Sequence, residues 1–104
     1  MNPRRACSVD ANQGQIADAF RRLGWDVIDT HAVAQYVPGF PDLIVTRPVG
    51  LCDVVVFGIE VKMPGGTLTE KEGEFAALHP HWAPIVVYTV DDVLRLTGVE
   101  DTDG

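Results

Sequence analysis

The sequence predicts an α/β fold in which helices pack against a mixed sheet of about four strands. Two patterns predict it. Apolar residues recur with a helical period near the start of the 104-residue chain, and β-branched runs separated by proline and glycine follow. The predicted order is helix, three strands, helix, strand, helix. Hydrophobic residues make up 46% and charged residues 22%, which is typical of a globular chain. We expect one domain over 1–104, with a core at about 9–98 and an acidic tail at 99–104.

The first helix is predicted over residues 11–23. Asp10 is placed as its N-cap and Gly24 as its stop signal, since short polar residues and glycine favour those two positions. The segment from Trp25 to Asp29 then indicates a short strand. Four apolar residues at positions i, i+3, i+4 and i+7 give the helix one buried face: Ile16, Ala19, Phe20 and Leu23.

A hairpin is predicted in the middle of the chain. The β-branched run Leu43–Thr46, closed by Pro48 and Gly50, forms the first arm, and Asp53–Lys62 forms the second. The loop before the hairpin is expected to lack regular structure because it is dense in turn residues, namely Pro38, Gly39 and Pro41.

The second half of the chain predicts helix, strand and helix. Thr69 with Glu72 three residues later indicates a capping box that opens a helix through about residue 79. Pro84–Tyr88 indicates a buried strand. Thr89 then caps a last short helix over 91–97.

Three polar residues lie where the hairpin would bring them together. Asp42 opens the first arm, and Glu60 and Lys62 end the second. Side chains two apart on a strand share one face, so Glu60 and Lys62 point the same way, with Asp42 beside them at the open end. The alternative is purely structural, because an isolated E-x-K motif on a solvent face is common. We favour convergence because the pair falls within an otherwise apolar segment.

This trio fits hydrolysis of a phosphodiester. The Asp42 and Glu60 carboxylates would hold Mg²⁺ or Mn²⁺, with the Val61 carbonyl as a further oxygen ligand, since hard ions prefer oxygen. The ion would polarise the phosphoryl oxygens and lower the pKa of a bound water. Lys62 would orient or deprotonate that water and offset developing charge.

Ordered motifs across the chain resemble the VRR-NUC family of the PD-(D/E)xK nuclease superfamily, in particular its small stand-alone members from phages and bacteria. The likeness covers roughly residues 9–98 and is carried mainly by Gly39–Val45, Ile59–Lys62 and Gly66–Thr69. The resemblance implies a restriction-endonuclease-like core and a metal-dependent DNA endonuclease. It implies that Asp42, Glu60 and the Val61 carbonyl bind the metal and that Lys62 serves the attacking water.

The chain departs from the family pattern at two points. Many relatives add an acidic residue on the first helix, where the nearest candidates are Asp10 and the amide Gln13. Relatives also often carry a glutamine early in the helix after the lysine, where this sequence has Gly73. Either Glu72 or Glu74 substitutes for it, or a substrate contact is missing. These departures bear on the ligand set and on substrate preference.

The resemblance also suggests a target and an assembly. Compact relatives suggest branched DNA such as four-way junctions, and cutting two strands with one site per chain suggests a twofold homodimer. Apolar residues before Asp42 either supply dimer surface or pack the loop onto the core: Val33, Tyr36, Val37 and Phe40.

Charge argues partly against a nucleic-acid partner. The net charge is −7, whereas phosphate binding usually shows as a basic surface, although bound divalent ions would reverse the local sign. The candidates for phosphate contact are Arg21, Arg22, Arg47 and His31, and solvated surface positions are the alternative for each.

The sequence thus favours a DNA endonuclease over two alternatives: a catalytically silent domain that binds DNA or a partner protein, and a metal-dependent hydrolase of a smaller substrate. No apolar run approaches the roughly 20 residues of a membrane helix. No apolar signal segment follows the first residues, so we expect a cytoplasmic protein in a bacterial or phage-infected cell. Cys7 and Cys52 fit free thiols better than a disulfide framework.

Overall fold

Four strands form one mixed sheet in the order β1-β2-β3-β4. The structure, a computed structural model, describes residues 3–82 and 84–98, with side chains from residue 11 onward. Strands β1, β2 and β3 pair antiparallel, and β4 adds parallel to β3. The predicted α/β class and four-stranded mixed sheet are confirmed. The strands are β1 Asp26–Asp29, β2 Leu43–Val49, β3 Asp53–Val61 and β4 Ile85–Val87.

The helices flank this sheet in the predicted order, with two short additions. A single helical turn precedes β2, and a 3₁₀ turn precedes β4. Among residues 3–82 and 84–98, none of the helices combines the length and the apolar character of a membrane span. The helices are α1 Pro3–Arg22, α2 His31–Ala34, α3 Glu70–Leu78 and α4 Val90–Thr97, and the 3₁₀ turn spans Pro80–Trp82.

The hydrophobic core lies between one face of the sheet and helices α1 and α4. The apolar face predicted for α1 is buried, with Ile16 and Phe20 fully enclosed. Phe20 meets Trp25 edge-on at 5.9 Å between ring centroids, and Trp25 stacks on Phe57 at 5.3 Å. The sheet and α4 complete the cluster with Leu43, Val45, Ile59, Val87 and Val93.

Helix α3 packs against the loop that precedes β2. Phe40 of the loop contacts Phe75 of α3 at 5.5 Å between ring centroids. Gly39 has a φ of +85°, and a Cβ there would lie 2.2 Å from the carbonyl oxygen of Lys71, so only glycine fits. Pro41 lies over Gly58, whose added Cβ would approach the proline ring at 3.0 Å. The loop is therefore locked immediately before Asp42.

Of the three predicted helix caps, Thr69 and Thr89 are confirmed, and each belongs to a capping box. The Thr69 hydroxyl accepts from the Glu72 amide while the Glu72 side chain accepts from the Thr69 amide, and Thr89 and Asp92 repeat the arrangement on α4. Gly24, at φ +89°, follows the end of α1 as predicted.

Three boundary predictions were wrong. Helix α1 begins at Pro3, so Asp10 lies within the helix and is not its N-cap. The loop predicted to be irregular contains α2, in which the amides of Val33 and Ala34 both donate to the Thr30 carbonyl. Strand β2 continues through Pro48, because beyond Thr46 it pairs with β3 alone and a proline is tolerated on its free side.

Candidate active site

Asp42 and Glu60 face each other across the β2–β3 hairpin. At the open end of the hairpin Leu43 pairs with Ile59, so continuing the register by one residue places Asp42 opposite Glu60. The Asp42 carboxylate is fixed in this position, since its Oδ2 accepts a 2.8 Å hydrogen bond from the Val61 amide. The hairpin thus brings together the two carboxylates that the sequence analysis selected.

Thr30 holds the backbone on the other side of Asp42. Its amide donates to the Asp42 carbonyl at 3.1 Å, and its buried hydroxyl donates to the Pro41 carbonyl. Thr30 extends the pairing of β1 with β2 by one residue, which anchors the start of β2. Sequence reasoning missed this residue, and its only signal was a position directly after the strand Asp26–Asp29.

Glu60 is the most unusual group of the site. It is fully buried, and neither carboxylate oxygen has a hydrogen-bond donor among the described residues. Burial, followed by the nearby Asp42 and Glu72 carboxylates, raises the pKa of the Glu60 carboxyl to about 10. An ionised carboxylate can accept hydrogen bonds but cannot donate one. Glu60 can therefore be hydrogen-bonded to Asp42 or Glu72 only if one of the two carboxyls is protonated. Without a cation, Glu60 is therefore neutral at pH 7.

Lys62 joins the site through an ion pair that the sequence analysis did not predict. Its Nζ lies 2.7 Å from Glu72 Oε1, and the two side chains are only 17% and 15% exposed. Burial alone would lower the pKa of Lys62, but the hydrogen bond and charge of Glu72 outweigh it and raise that pKa. Burial alone would raise the pKa of Glu72, but hydrogen bonds from Lys62 and the Thr69 amide lower it. Both groups are therefore charged at neutral pH.

Of the two residues proposed to stand in for the absent glutamine, Glu72 is the one at the site. Glu74 is exposed and lies 3.9 Å from Lys71 on the solvent side of α3. Gly73 has open space where a side chain would project.

Asn12 ties α1 to the end of β3 behind Lys62. Its Nδ2 lies within 3.3 Å of both the Lys62 carbonyl and the Tyr88 carbonyl, and the Lys62 amide donates to Val87 at 3.1 Å. Asn12 falls within residues 9–98, which the family resemblance covers, but it was not predicted to support the site. No spacing rule connects it to residues 50 and 76 positions away.

The oxygen ligands available to a hard metal ion are the Asp42 and Glu60 carboxylates and the Val61 carbonyl. Glu60, with two buried oxygens lacking donors, has the chemistry that a divalent cation would satisfy. Within the described part of the chain, no group of three His, Cys, Asp or Glu side chains is arranged to hold a metal. The Asp10 side chain, proposed as a further ligand, lies outside the described residues. Gln13 lines a groove together with Asp29 and Leu43, the residue that follows Asp42 in the chain.

The residues proposed to contact phosphate are dispersed. Arg21 lines the same groove as Gln13 and lies 3.2 Å from Asp18, whereas Arg22 is exposed at the end of α1. His31 is exposed directly after Thr30, and so stays near the site. Arg47 is exposed on β2 five residues from Asp42, which is roughly 17 Å along a strand. His31 therefore adjoins the residue that bonds to the Asp42 backbone, whereas Arg47 does not.

Comparison of the chain with models of protein families, with curated proteins and with solved structures gave no match. The likeness to VRR-NUC nucleases accordingly remains a hypothesis based on the sequence motifs.

Proposed function

We propose that this protein is a Mg²⁺- or Mn²⁺-dependent DNA endonuclease that hydrolyses phosphodiester bonds at Asp42, Glu60 and Lys62. The observation that carries the proposal is the buried Glu60 carboxylate, which lacks a donor and lies opposite Asp42. Burying such a group without a partner destabilises the fold, so its presence beside a second carboxylate and a lysine favours a functional role.

The proposed chemistry assigns each residue a distinct part. Asp42, Glu60 and the Val61 carbonyl would hold the ion, which when bound polarises a phosphoryl oxygen and lowers the pKa of a bound water. Glu60 must first release its proton, because only the carboxylate binds a cation. Asp42 keeps its orientation through the Val61 amide. Lys62, charged at neutral pH, orients the attacking water and offsets charge that develops on the phosphoryl group.

DNA as the substrate is supported by the VRR-NUC resemblance. The net charge of −7 favours the alternative, a catalytically silent domain that binds DNA or a protein partner. A metal-dependent hydrolase that uses the same carboxylates on a smaller substrate is the second alternative. The proposed setting is the cytoplasm of a bacterial or phage-infected cell.

Branched DNA and a homodimer complete the proposal, since two copies related by a twofold axis place identical sites on two strands. Support for the dimer comes from side chains before Asp42, because Tyr36 is 84% exposed and Val33 and Val37 are partly exposed. Phe40 instead packs the loop onto the rest of the protein, because its ring contacts Phe75.

A cleavage assay with Mg²⁺ on linear, flapped and four-way-junction DNA tests the function. Asp42→Ala, Glu60→Ala and Lys62→Ala should each abolish cleavage while circular dichroism shows an intact fold. Lys71→Ala is the matched control for Lys62→Ala, because these are the chain's only lysines and Lys71 is exposed. Wild-type turnover in the Lys62 variant would remove lysine from the mechanism. Absence of cleavage by the wild-type protein on every DNA form would favour the silent alternative.

A further inference from the structure

We propose that Glu72 is a positioning residue for Lys62, so that the first turn of α3 sets the place of the lysine ammonium in the reaction. The inference rests on the proposed nuclease function and extends it to a residue outside the Asp42–Glu60–Lys62 trio. Its basis is a single carboxylate oxygen that joins a helix cap to the lysine.

Glu72 Oε1 accepts two hydrogen bonds at once. One comes from Lys62 Nζ at 2.7 Å and the other from the Thr69 amide at 2.8 Å. The Glu72 amide in turn donates to the Thr69 hydroxyl at 3.2 Å. The capping box therefore fixes the Glu72 side chain independently of the lysine, and the lysine binds to an acceptor that is already in place.

The helix end also stabilises the charge of Glu72. The carboxylate lies at the third position of α3, where the unpaired amides and the positive end of the helix dipole favour an anion. The hydrogen bonds that hold it come from a cation and a backbone amide, which are strong donors for a carboxylate.

Lysine needs such an anchor because its flexible four-carbon stem loses rotamer entropy when the ammonium is held in one place. An unanchored ammonium would also be free to enter the space beside Asp42 and Glu60 that a cation would occupy. In the structure Lys62 donates to Glu72, and both Glu60 oxygens are left without a donor. Glu72 thus keeps the lysine close to the carboxylates without letting it fill the site.

The test compares Glu72→Gln with Asp92→Asn, the equivalent change in the capping box of α4. Glutamine keeps an acceptor for the Thr69 amide but removes the charge that holds the lysine. We expect Glu72→Gln to lower kcat by about 10- to 100-fold, with the KM for DNA and the half-saturating Mg²⁺ concentration nearly unchanged. Asp92→Asn should destabilise its helix to a similar degree and leave kcat at the wild-type value.

A second measurement does not depend on activity. Lysine ammonium signals in ¹H–¹⁵N spectra are visible only when a lasting ion pair slows proton exchange, and the chain has only Lys62 and Lys71. The Lys62 signal should be present in the wild-type protein and lost in Glu72→Gln, whereas exposed Lys71 should give none in either.

The outcomes separate the two proposals. A wild-type protein that cleaves no DNA but shows the Lys62 signal, lost in Glu72→Gln, would refute the nuclease and support the ion pair. Wild-type kcat in Glu72→Gln would overturn the positioning role and leave the nuclease standing. A rise in half-saturating Mg²⁺ at unchanged kcat would overturn it too, because Glu72 would then be a metal ligand. Absence of the Lys62 signal from the wild-type protein would overturn it directly.

Discussion

Replacing Glu60 with glutamine should stabilise the metal-free protein while abolishing its activity. The folded state raises the pKa of Glu60 from 4.5 to about 10, so folding at pH 7 requires this carboxyl to take up a proton. The sign follows from linkage. Below pH 4.5 Glu60 is protonated in both the folded and the unfolded protein, so its titration does not change the free energy of unfolding. Between pH 4.5 and about 10 Glu60 is ionised only in the unfolded protein. Across that window the free energy of unfolding falls as pH rises.

The magnitude follows from the same shift. Each pH unit above the ordinary pKa costs about 1.4 kcal/mol, so at pH 7 the ionisable side chain costs about 3 kcal/mol relative to a neutral one of the same shape. For a chain of 104 residues this corresponds to a rise in Tm on the order of 10 to 20 °C for Glu60→Gln.

The assay is thermal and urea unfolding in EDTA, followed by circular dichroism at several values between pH 5 and pH 9. The wild-type curve should slope downward with pH, and the Glu60→Gln curve should be flatter and higher at pH 7. Glu74→Gln is the control, because Glu74 is an exposed carboxylate on α3 and its loss should change stability by less than about 0.5 kcal/mol. A Glu60→Gln protein no more stable than wild type at pH 7 would refute the reasoning.

Three further predictions concern the backbone, the metal and the assembly. Gly39→Ala should destabilise the fold by about 3 kcal/mol in urea titrations, because its Cβ would lie 2.2 Å from the Lys71 carbonyl oxygen. Gly73→Ala, which meets open space within α3, should instead be neutral or stabilise by up to about 1 kcal/mol; equal effects would count against the close approach. Cleavage should need Mg²⁺ or Mn²⁺, while Ca²⁺ supports DNA binding with little turnover, and activity that survives EDTA or follows Zn²⁺ alone would contradict the oxygen ligand set. Light scattering at micromolar concentration should give a dimer with a preference for junctions; a monomer that cuts linear duplex equally well would refute both.

The parts of the fold that the sequence predicted are those with strong local signals. The Thr69–Glu72 capping box, the Thr89 cap and the hairpin were predicted because hydroxyl caps and β-branched runs act over a few residues. The start of α1 was misplaced because residues 3–10 are mostly polar and carry no apolar period, although they are helical. A proline was taken to end β2, but the missing amide matters only where a second strand pairs.

The same distinction applies to the site. Asp42 and Glu60 could be paired from the sequence because an antiparallel hairpin fixes which residues face each other. The ion pair between Lys62 and Glu72 could not be predicted from the sequence, because it depends on how α3 packs against the end of β3 after the turn. The roles of Thr30 and Asn12 were not predicted either, because each side chain hydrogen-bonds to backbone groups that only tertiary packing brings near.

The length of the β2–β3 hairpin offers a practical handle for engineering. From Asp42 opposite Glu60 to Val49 opposite Asp53 the ladder runs eight residue pairs, which are seven steps along the strand or roughly 23 Å. Its tip carries Leu51, which is fully exposed, and the exposed thiol of Cys52. Lengthening the tip leaves the register near Asp42 unchanged. A fluorophore or a DNA-targeting module attached at the tip would therefore be held at a fixed distance from the carboxylates.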